Sequence, residues 1–238
     1  MCFHNSMSAS AQQLAQRYEA SLEEDFEPIY HANGFSFLKF PVITNHDPGK
    51  IQLFNWGLIP KWSKSREAAM EFRINTLNAR SETIFEKPSF RSVSAKRCLI
   101  PSTGFYEWRD YQKKKYPYFI QLKDEPIFSL AGIYEDWIDR DTGEVFNTFS
   151  IVTCPANPFM AVIHNSKLRM PVILPKENER QWIKEQLPQN EIKDLMQPLD
   201  ANLMTAHTIS KLITSRKEPT NVPQVQKTFS YGELSELI

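Results

Sequence analysis

Four residues, Cys2, Asn78, Glu107 and His164, have types and settings that could support covalent chemistry. Cys2 stands in the start MCFHNSMSAS, directly after the initiator methionine. Loss of Met1 would leave it with a thiol and a free α-amine on adjacent carbons. That 1,2-aminothiol is a group no internal cysteine can offer. An α-amine of ordinary pKa, near ~8, is partly unprotonated at neutral pH and can condense with an aldehyde. The adjacent thiol can then close a five-membered ring on the same carbon, an intramolecular step with a high effective molarity. Glu107 lies in TGFYEWR among Phe105, Tyr106 and Trp108. Apolar surroundings raise a carboxyl pKa and suit it to general acid work near neutrality. His164 closes the apolar run of MAVIHNSKLRMPVIL, ahead of a basic turn with Lys167 and Arg169. In RINTLNARSET, Arg73, Asn75, Asn78 and Arg80 gather in an expected loop and could hold a phosphate or an oxyanion. Trp56 and Trp62 in NWGLIPKW, and Trp108 beside Arg109, interleave aromatic and basic groups as contacts to single-stranded nucleic acid do. Each feature alone has an ordinary explanation. Termini fray, strand alternation turns residues to solvent, and strand tryptophans pack in cores.

The elements that must position these residues are mostly strands. A helix is expected in SASAQQLAQRYEASLEEDF, capped by Ser8 or Ser10, with Leu14, Tyr18 and Leu22 on one face. Asn33-Gly34 signals a turn before the strand-like FSFLKFPVIT, and IQLFNWGLIP follows as another strand. SREAAMEF reads as a short helix. Strand patterns then recur at 97–101, 103–109, 116–122, 126–137, 145–154 and 170–174. KENERQWIKEQL and EIKDLM return to helical spacing, and the polar segment after about Thr214 is expected to run extended over the surface. Regular β-α alternation is absent. The expected architecture is therefore one α+β domain, a largely antiparallel, twisted, barrel-like sheet flanked by helices. It would span 1–238, with a core of about 2–215 and a surface tail at 216–238.

Composition narrows the function. Of 238 residues, 41% are apolar and 24% charged, near globular averages, so a packed core is expected rather than disorder. Lys and Arg total 28 against 28 Asp and Glu, so a nucleic-acid contact would need locally gathered charge. Such gathering occurs in KWSKSR, RSVSAKR and RDYQKKKY. Three widely spaced cysteines, with no signal peptide and no membrane-length apolar run, point to a reducing, cytoplasmic setting without membrane association. No Gly-rich phosphate loop, C-x-x-C or H-E-x-x-H occurs, so neither a cofactor nor a metal is expected.

In combination and order, the motifs are more specific than any one of them. Cys at position 2, W-G-L-I-P-x-W, N-A-R-S-E-T, R-C-L-I-P-S-x-G-F-Y-E-W, A-N-x-x-M-A-x-I-H and R-M-P-V-I-L together resemble the SRAP (SOS response-associated peptidase) family. The resemblance covers about residues 2 to 215. It implies a protein that senses abasic sites in single-stranded DNA and shields them by a covalent crosslink, a thiazolidine between the N-terminal cysteine and the deoxyribose aldehyde. It also implies removal of its own initiator methionine. Glu107 would then shuttle protons, and His164 would promote sugar opening and assist reversal. Asn78 would orient the sugar or Cys2, and Arg80 would hold a flanking phosphate. Trp56, Trp62, Trp108 and Arg169 would be further DNA contacts or site walls. A monomer is expected, nucleoid-associated when acting on DNA, with replication-fork proteins as candidate partners.

The chain departs from the family pattern in two places. The usual start is M-C-G-R, whereas this chain reads MCFH, which removes a flexible residue and an expected phosphate contact. Asn165, Ser166, Lys167 and Leu168 separate His164 from Arg-Met-Pro, lengthening that loop. Two other readings stay open from sequence. One is a cysteine hydrolase with Cys2 as nucleophile, His164 as base and Asn78 as orienting group. The other is a non-catalytic nucleic-acid module built on the tryptophans and basic clusters.

Overall fold

In the computed structural model, which describes residues 2–22 and 25–234, five strands close into a barrel. Around it run Val145–Pro155, Phe128–Ile138, Arg97–Ser102, Lys39–Thr44 and Lys50–Trp56, each antiparallel to the next. A parallel pairing of Asn55 and Trp56 with Thr148 and Phe149 shuts the ring. Five more strands form a second, wholly antiparallel sheet, in the order Met204–Thr208, Lys114–Leu122, Gly104–Tyr111, His4–Met7, Ile29–Asn33. The shortest covalent link between the two sheets is Thr103, through which Arg97–Ser102 passes into Gly104–Tyr111. The expected α+β, barrel-like architecture is the observed one.

Local sequence explains most of the element boundaries. Ser10 caps the helix Ala11–Tyr18 with a reciprocal capping box to Gln13. That helix is shorter than its apolar stripe implied, because Glu19 turns left-handed (φ 52°) and stops it. Leu14 is buried on it as expected, but Leu22 lies on the short strand Ser21–Leu22 instead. Glu23 and Glu24, in the same expected helix, fall outside the described residues. Residues 35–38 do not join the Lys39–Thr44 strand either. The Asn33 side chain accepts the Phe35 N–H (3.1 Å), holding a single 3-10 turn, and Phe37 adopts φ 52°. Gly57, at φ 104°, ends the next strand at Trp56.

The barrel interior and the space between the sheets hold the core. Trp56 is 1% exposed, its ring stacked on Phe149 and its Nε1–H donated to the Leu77 carbonyl (2.9 Å). Trp182, from the helix Lys176–Trp182, is fully buried and donates to the Cys98 carbonyl (3.0 Å). Each such aromatic stabilises the fold by roughly 1.5–3 kcal/mol through area removed from water. The basic clusters also prove largely structural. Arg97 is buried and caps the end of the Lys176–Trp182 helix through the Trp182 and Lys184 carbonyls. Lys61 and Lys96 meet Glu135, Arg66 meets Asp139 and Glu144, and Lys115 meets Asp110.

Residues 217–234 correct the expectation of an extended surface tail. They turn through Pro223–Gln226 and Gly232–Leu234, burying Val225 against Tyr106 and Phe119 on one face of the five-stranded sheet and Leu234 with the main core. Among the described residues, no helix is long and apolar enough to cross a membrane.

Candidate active site

Three segments bring the site together. The Gly104–Tyr111 strand carries Glu107, flanked by the His4–Met7 strand on one side and Lys114–Leu122 on the other. Cys2 is two residues ahead of His4–Met7. It is fully buried, its Sγ 3.7 Å from the His4 carbonyl, and the Phe3 carbonyl accepts the Gly34 N–H (2.8 Å). The short helix Pro158–Ile163, capped by Asn157 and started by Pro158, packs on the Glu107 strand and ends at His164.

Glu107 Oε2 lies 3.5 Å from His164 Nε2, with both side chains buried. Burial pushes the Glu107 pKa up to about 8 and the His164 pKa down to about 4. At neutral pH the pair is therefore a neutral carboxyl facing a neutral imidazole. His164 Nδ1 donates to the Arg169 carbonyl (2.8 Å). That bond leaves the Nε2 lone pair turned toward Glu107, so the carboxyl proton has an acceptor. Burial holds the Cys2 thiol far above its ordinary pKa, and the Glu107 charge adds to this only once that carboxyl ionises. The sulfur is a thiol at rest, with no thiolate–imidazolium pair.

The lengthened loop after His164 does not loosen it. Leu168, at φ 53°, folds back so that its N–H reaches the His164 carbonyl (2.9 Å). Asn165 grips the backbone of Asp110 on the Glu107 strand twice, accepting its N–H (3.0 Å) and donating to its carbonyl (2.8 Å).

Asn78 begins the strand Asn78–Arg80, paired in parallel with Ile151 of the barrel rather than lying in a loop. Its Oδ1 and Nδ2 are both buried without a hydrogen-bond partner, as are Glu107 Oε1, Asn5 Nδ2 and the Tyr118 hydroxyl. An unsatisfied buried polar group costs about 1–3 kcal/mol, a cost that a polar ligand would offset. Tyr118 stands directly across from Glu107 in the strand register, and Asn5 is the partner of Phe105. Neither was singled out by sequence, since their relevance depends on register alone. Among the described residues no group of His, Cys, Asp and Glu is placed to hold a metal.

The expected DNA contacts divide. Arg80 is exposed at the end of its strand, Trp62 is 51% exposed against the edge of Phe72, and Trp108 is half-buried against His4. Trp56 is corrected to a core residue, with no surface left for a base. Arg169 is corrected as well. Its guanidinium is buried on Glu82, the Thr153 carbonyl (2.8 Å) and the Thr153 hydroxyl (3.1 Å), so it shapes the strand that positions His164. Arg73 is likewise turned inward, onto the Trp56 and Gly57 carbonyls, while Asn75 is exposed.

The site's buried histidines make stability depend on pH. His4 Nδ1 and His31 Nε2 are 2.8 Å apart in stacked rings, and burial lowers His4 to about 3 and His31 to about 4. Between pH 6.5 and about 4 the unfolded chain binds protons at His4, His31 and His164 that the native protein does not, so stability falls as pH falls. Glu107 acts oppositely, losing stability as pH rises from 4.5 to about 8. Thermal melts should show Tm dropping from pH 6.5 to 4, with a smaller drop in His31→Gln.

A closed barrel backed by a second sheet, with a neutral acid–imidazole pair beside a buried cysteine at the start of the chain, defines a class of single-domain proteins. Comparison with known proteins identifies it. The family model described as SOS response associated peptidase (SRAP) matches residues 1–216, and the chain belongs to that family. It is 36% identical over 209 residues to the abasic site processing protein YoqW of Bacillus subtilis, covering 85% of this chain and 87% of that one. It is 31% identical over 188 residues to the abasic site processing protein HMCES of Gallus gallus, covering 69% of this chain and 54% of the longer relative. A crystal structure of a Bacteroides thetaiotaomicron protein shares 46% identity and superposes with a TM-score of 0.91, over 96% of this chain and all of that one.

Proposed function

We propose that this protein processes abasic sites in DNA, and that it does so by crosslinking Cys2, freed of Met1, to the sugar aldehyde as a thiazolidine. Met1 lies outside the described residues. The observation that carries the reading is the neutral Glu107 carboxyl facing His164 beside an un-ionised Cys2 thiol. Aminothiol condensation needs an acid first and a base second. The free amine attacks C1′ of the ring-opened sugar and gives a carbinolamine. Glu107 protonates the departing hydroxyl, water leaves, and an iminium forms. The resulting carboxylate takes the Cys2 proton as sulfur attacks the same carbon, which closes the ring and returns Glu107 to its acid form. The net change is one aldehyde and one aminothiol to one thiazolidine and one water. The orphaned Asn78 amide offers both a donor and an acceptor to the opened sugar. Exposed Arg80 and Trp62, with half-buried Trp108, are suited to the flanking strand.

The cysteine hydrolase reading fares worse on the same geometry. With His164 as base it needs a thiolate activated by an imidazole, yet His164 spends one nitrogen on the Arg169 carbonyl and the other on Glu107. With the α-amine as base, turnover of an amide substrate with release of product would distinguish it from stoichiometric crosslinking. Mixed with an abasic single-stranded oligonucleotide, the mature protein should give a heat-stable adduct on a denaturing gel, with an intact mass equal to the sum less one water. Cys2→Ser and a blocked amino terminus should each abolish it. A full-yield adduct from Cys2→Ala overturns the reading.

A further inference from the structure

The family match ends at residue 216, yet residues 217–234 touch all five strands of the sheet that carries the site. Glu233 binds the Tyr116 hydroxyl (2.7 Å) and Lys114 on one strand. Phe229 exchanges hydrogen bonds with Thr208 on the next, donating its N–H (2.8 Å) and accepting the hydroxyl (2.7 Å). Val225 fills an apolar cluster with Tyr106, Phe119, Ile209 and Ile213. Two side chains then reach the strands at the chain's start. Gln226 Nε2 donates to the Ser6 hydroxyl (2.7 Å) and the Tyr30 carbonyl (3.2 Å). Asn221 Oδ1 accepts the N–H groups of Tyr30 (2.7 Å) and His31 (3.2 Å), covering an otherwise open sheet edge.

These two contacts converge on the segment that holds Cys2. Ser6 lies in the four-residue strand His4–Met7, and His31 is bonded through its ring to His4, whose carbonyl faces the Cys2 sulfur. A four-residue strand at a chain terminus frays readily unless tied down. Crosslinking demands that the amine and the thiol both reach one carbon beside Glu107. Misplacement by about 1 Å can cost on the order of 10²-fold in rate.

We propose that residues 217–234 form a strap, and that Asn221 and Gln226 are positioning residues which hold the Cys2 segment in reacting register beside Glu107. The inference rests on the crosslinking reaction proposed above. Val225 and Gln226 lie against the face of the sheet bearing Tyr106 and Ser6, opposite Glu107, so they act on the nucleophile's strand from behind, while Glu233 reaches round to Tyr116 on the Glu107 face.

Single-turnover crosslinking to an abasic oligonucleotide tests it, alongside equilibrium binding of an unreactive tetrahydrofuran-site oligonucleotide. Asn221→Ala and Gln226→Ala should each lower the maximal rate about tenfold, and the pair about a hundredfold. Tetrahydrofuran-site affinity and the final yield of adduct should stay at wild-type values. Asn221→Asp, which keeps the accepting oxygen, should restore the rate. Hydrogen exchange should show faster opening of the 4–7 amides in Gln226→Ala, with barrel amides unchanged. A merely structural role would instead reduce yield and affinity together. Wild-type rates in both alanine variants, or parallel loss of rate and affinity, overturns the strap. Should wild type give no Cys2-dependent adduct, the crosslinking reading fails by itself, and exchange at 4–7 still decides whether the strap holds that strand. Should Asn221→Ala not fold, Gln226→Ala, which deletes one amide and no buried apolar group, decides alone.

Discussion

Glu107→Gln should slow the proposed crosslinking by about 10²–10⁴-fold and change the shape of its pH profile. The substitution keeps the size of the side chain and its ability to hydrogen-bond but removes its ionisable proton. In the wild type, two ionisations of opposite demand bound the rate. The α-amine must be unprotonated, so the rate climbs toward its pKa near ~8. Glu107 must be protonated, and burial keeps it so up to about pH 8. Above that it ionises and the rate falls, because the carbinolamine hydroxyl then lacks a proton donor and the Cys2 thiol feels an added negative charge. The profile should be a narrow bell near pH 8. In Glu107→Gln the rising limb remains and the falling limb disappears. Rates measured from pH 5 to 10 under single-turnover conditions check both features. An unaltered bell in the variant would place the acid elsewhere.

The legibility of this site in sequence varied with distance along the chain. Cys2 stands out in the sequence because the proposed chemistry depends only on its being second. Glu107 and His164 were legible as motif residues, but their facing orientation was not. It depends on the Pro158–Ile163 helix packing onto a strand some 50 positions earlier, and on the Arg169 carbonyl that fixes the imidazole tautomer. Trp56 and Trp62 look alike in NWGLIPKW. Only the closure of the barrel through Asn55 and Trp56, a pairing with residues 148 and 149, sends the first inside and leaves the second at the surface. Arg169 read as a free cation because its partner Glu82 lies 87 residues away. The turn that sets Tyr118 opposite Glu107 places Gln112 and Lys113 at φ 49° and 62°. Those residues lack the Asn-Gly signature of such hairpins, so the register could not be read ahead. The strap was hidden by composition. Its contacts to the nucleophile's end of the sheet are two amides, Asn221 and Gln226, scattered through a polar stretch.

Gly104→Ala is expected to damage the protein more than any other small substitution near the site. A Cβ at residue 104 would lie 2.4 Å from two ring atoms of Phe119 and 2.8 Å from the Ile120 carbonyl. Neither neighbour can yield cheaply. Phe119 is buried between Tyr106 and His207, and Ile120 is fixed by its ladder to Phe105. Overpacking of this kind costs roughly 3 kcal/mol, the upper end of its usual range. In a chain of this size that is about 6–12 °C of Tm. The functional effect should exceed the thermal one. Gly104 is the register partner of Ser6, and it begins the strand that carries Glu107. Displacing Gly104 away from Phe119 and Ile120 shifts the start of the acid's strand against its Ser6 partner, disturbing the acid and the nucleophile's segment at once. Calorimetry and crosslinking on the same sample check the pair of effects, and Gly104→Ala with Phe119→Leu should recover part of both by giving the new methyl room. A single variant that melts within 1 °C of wild type would mean the two strands are not packed as closely at Gly104 as the contact with Phe119 requires.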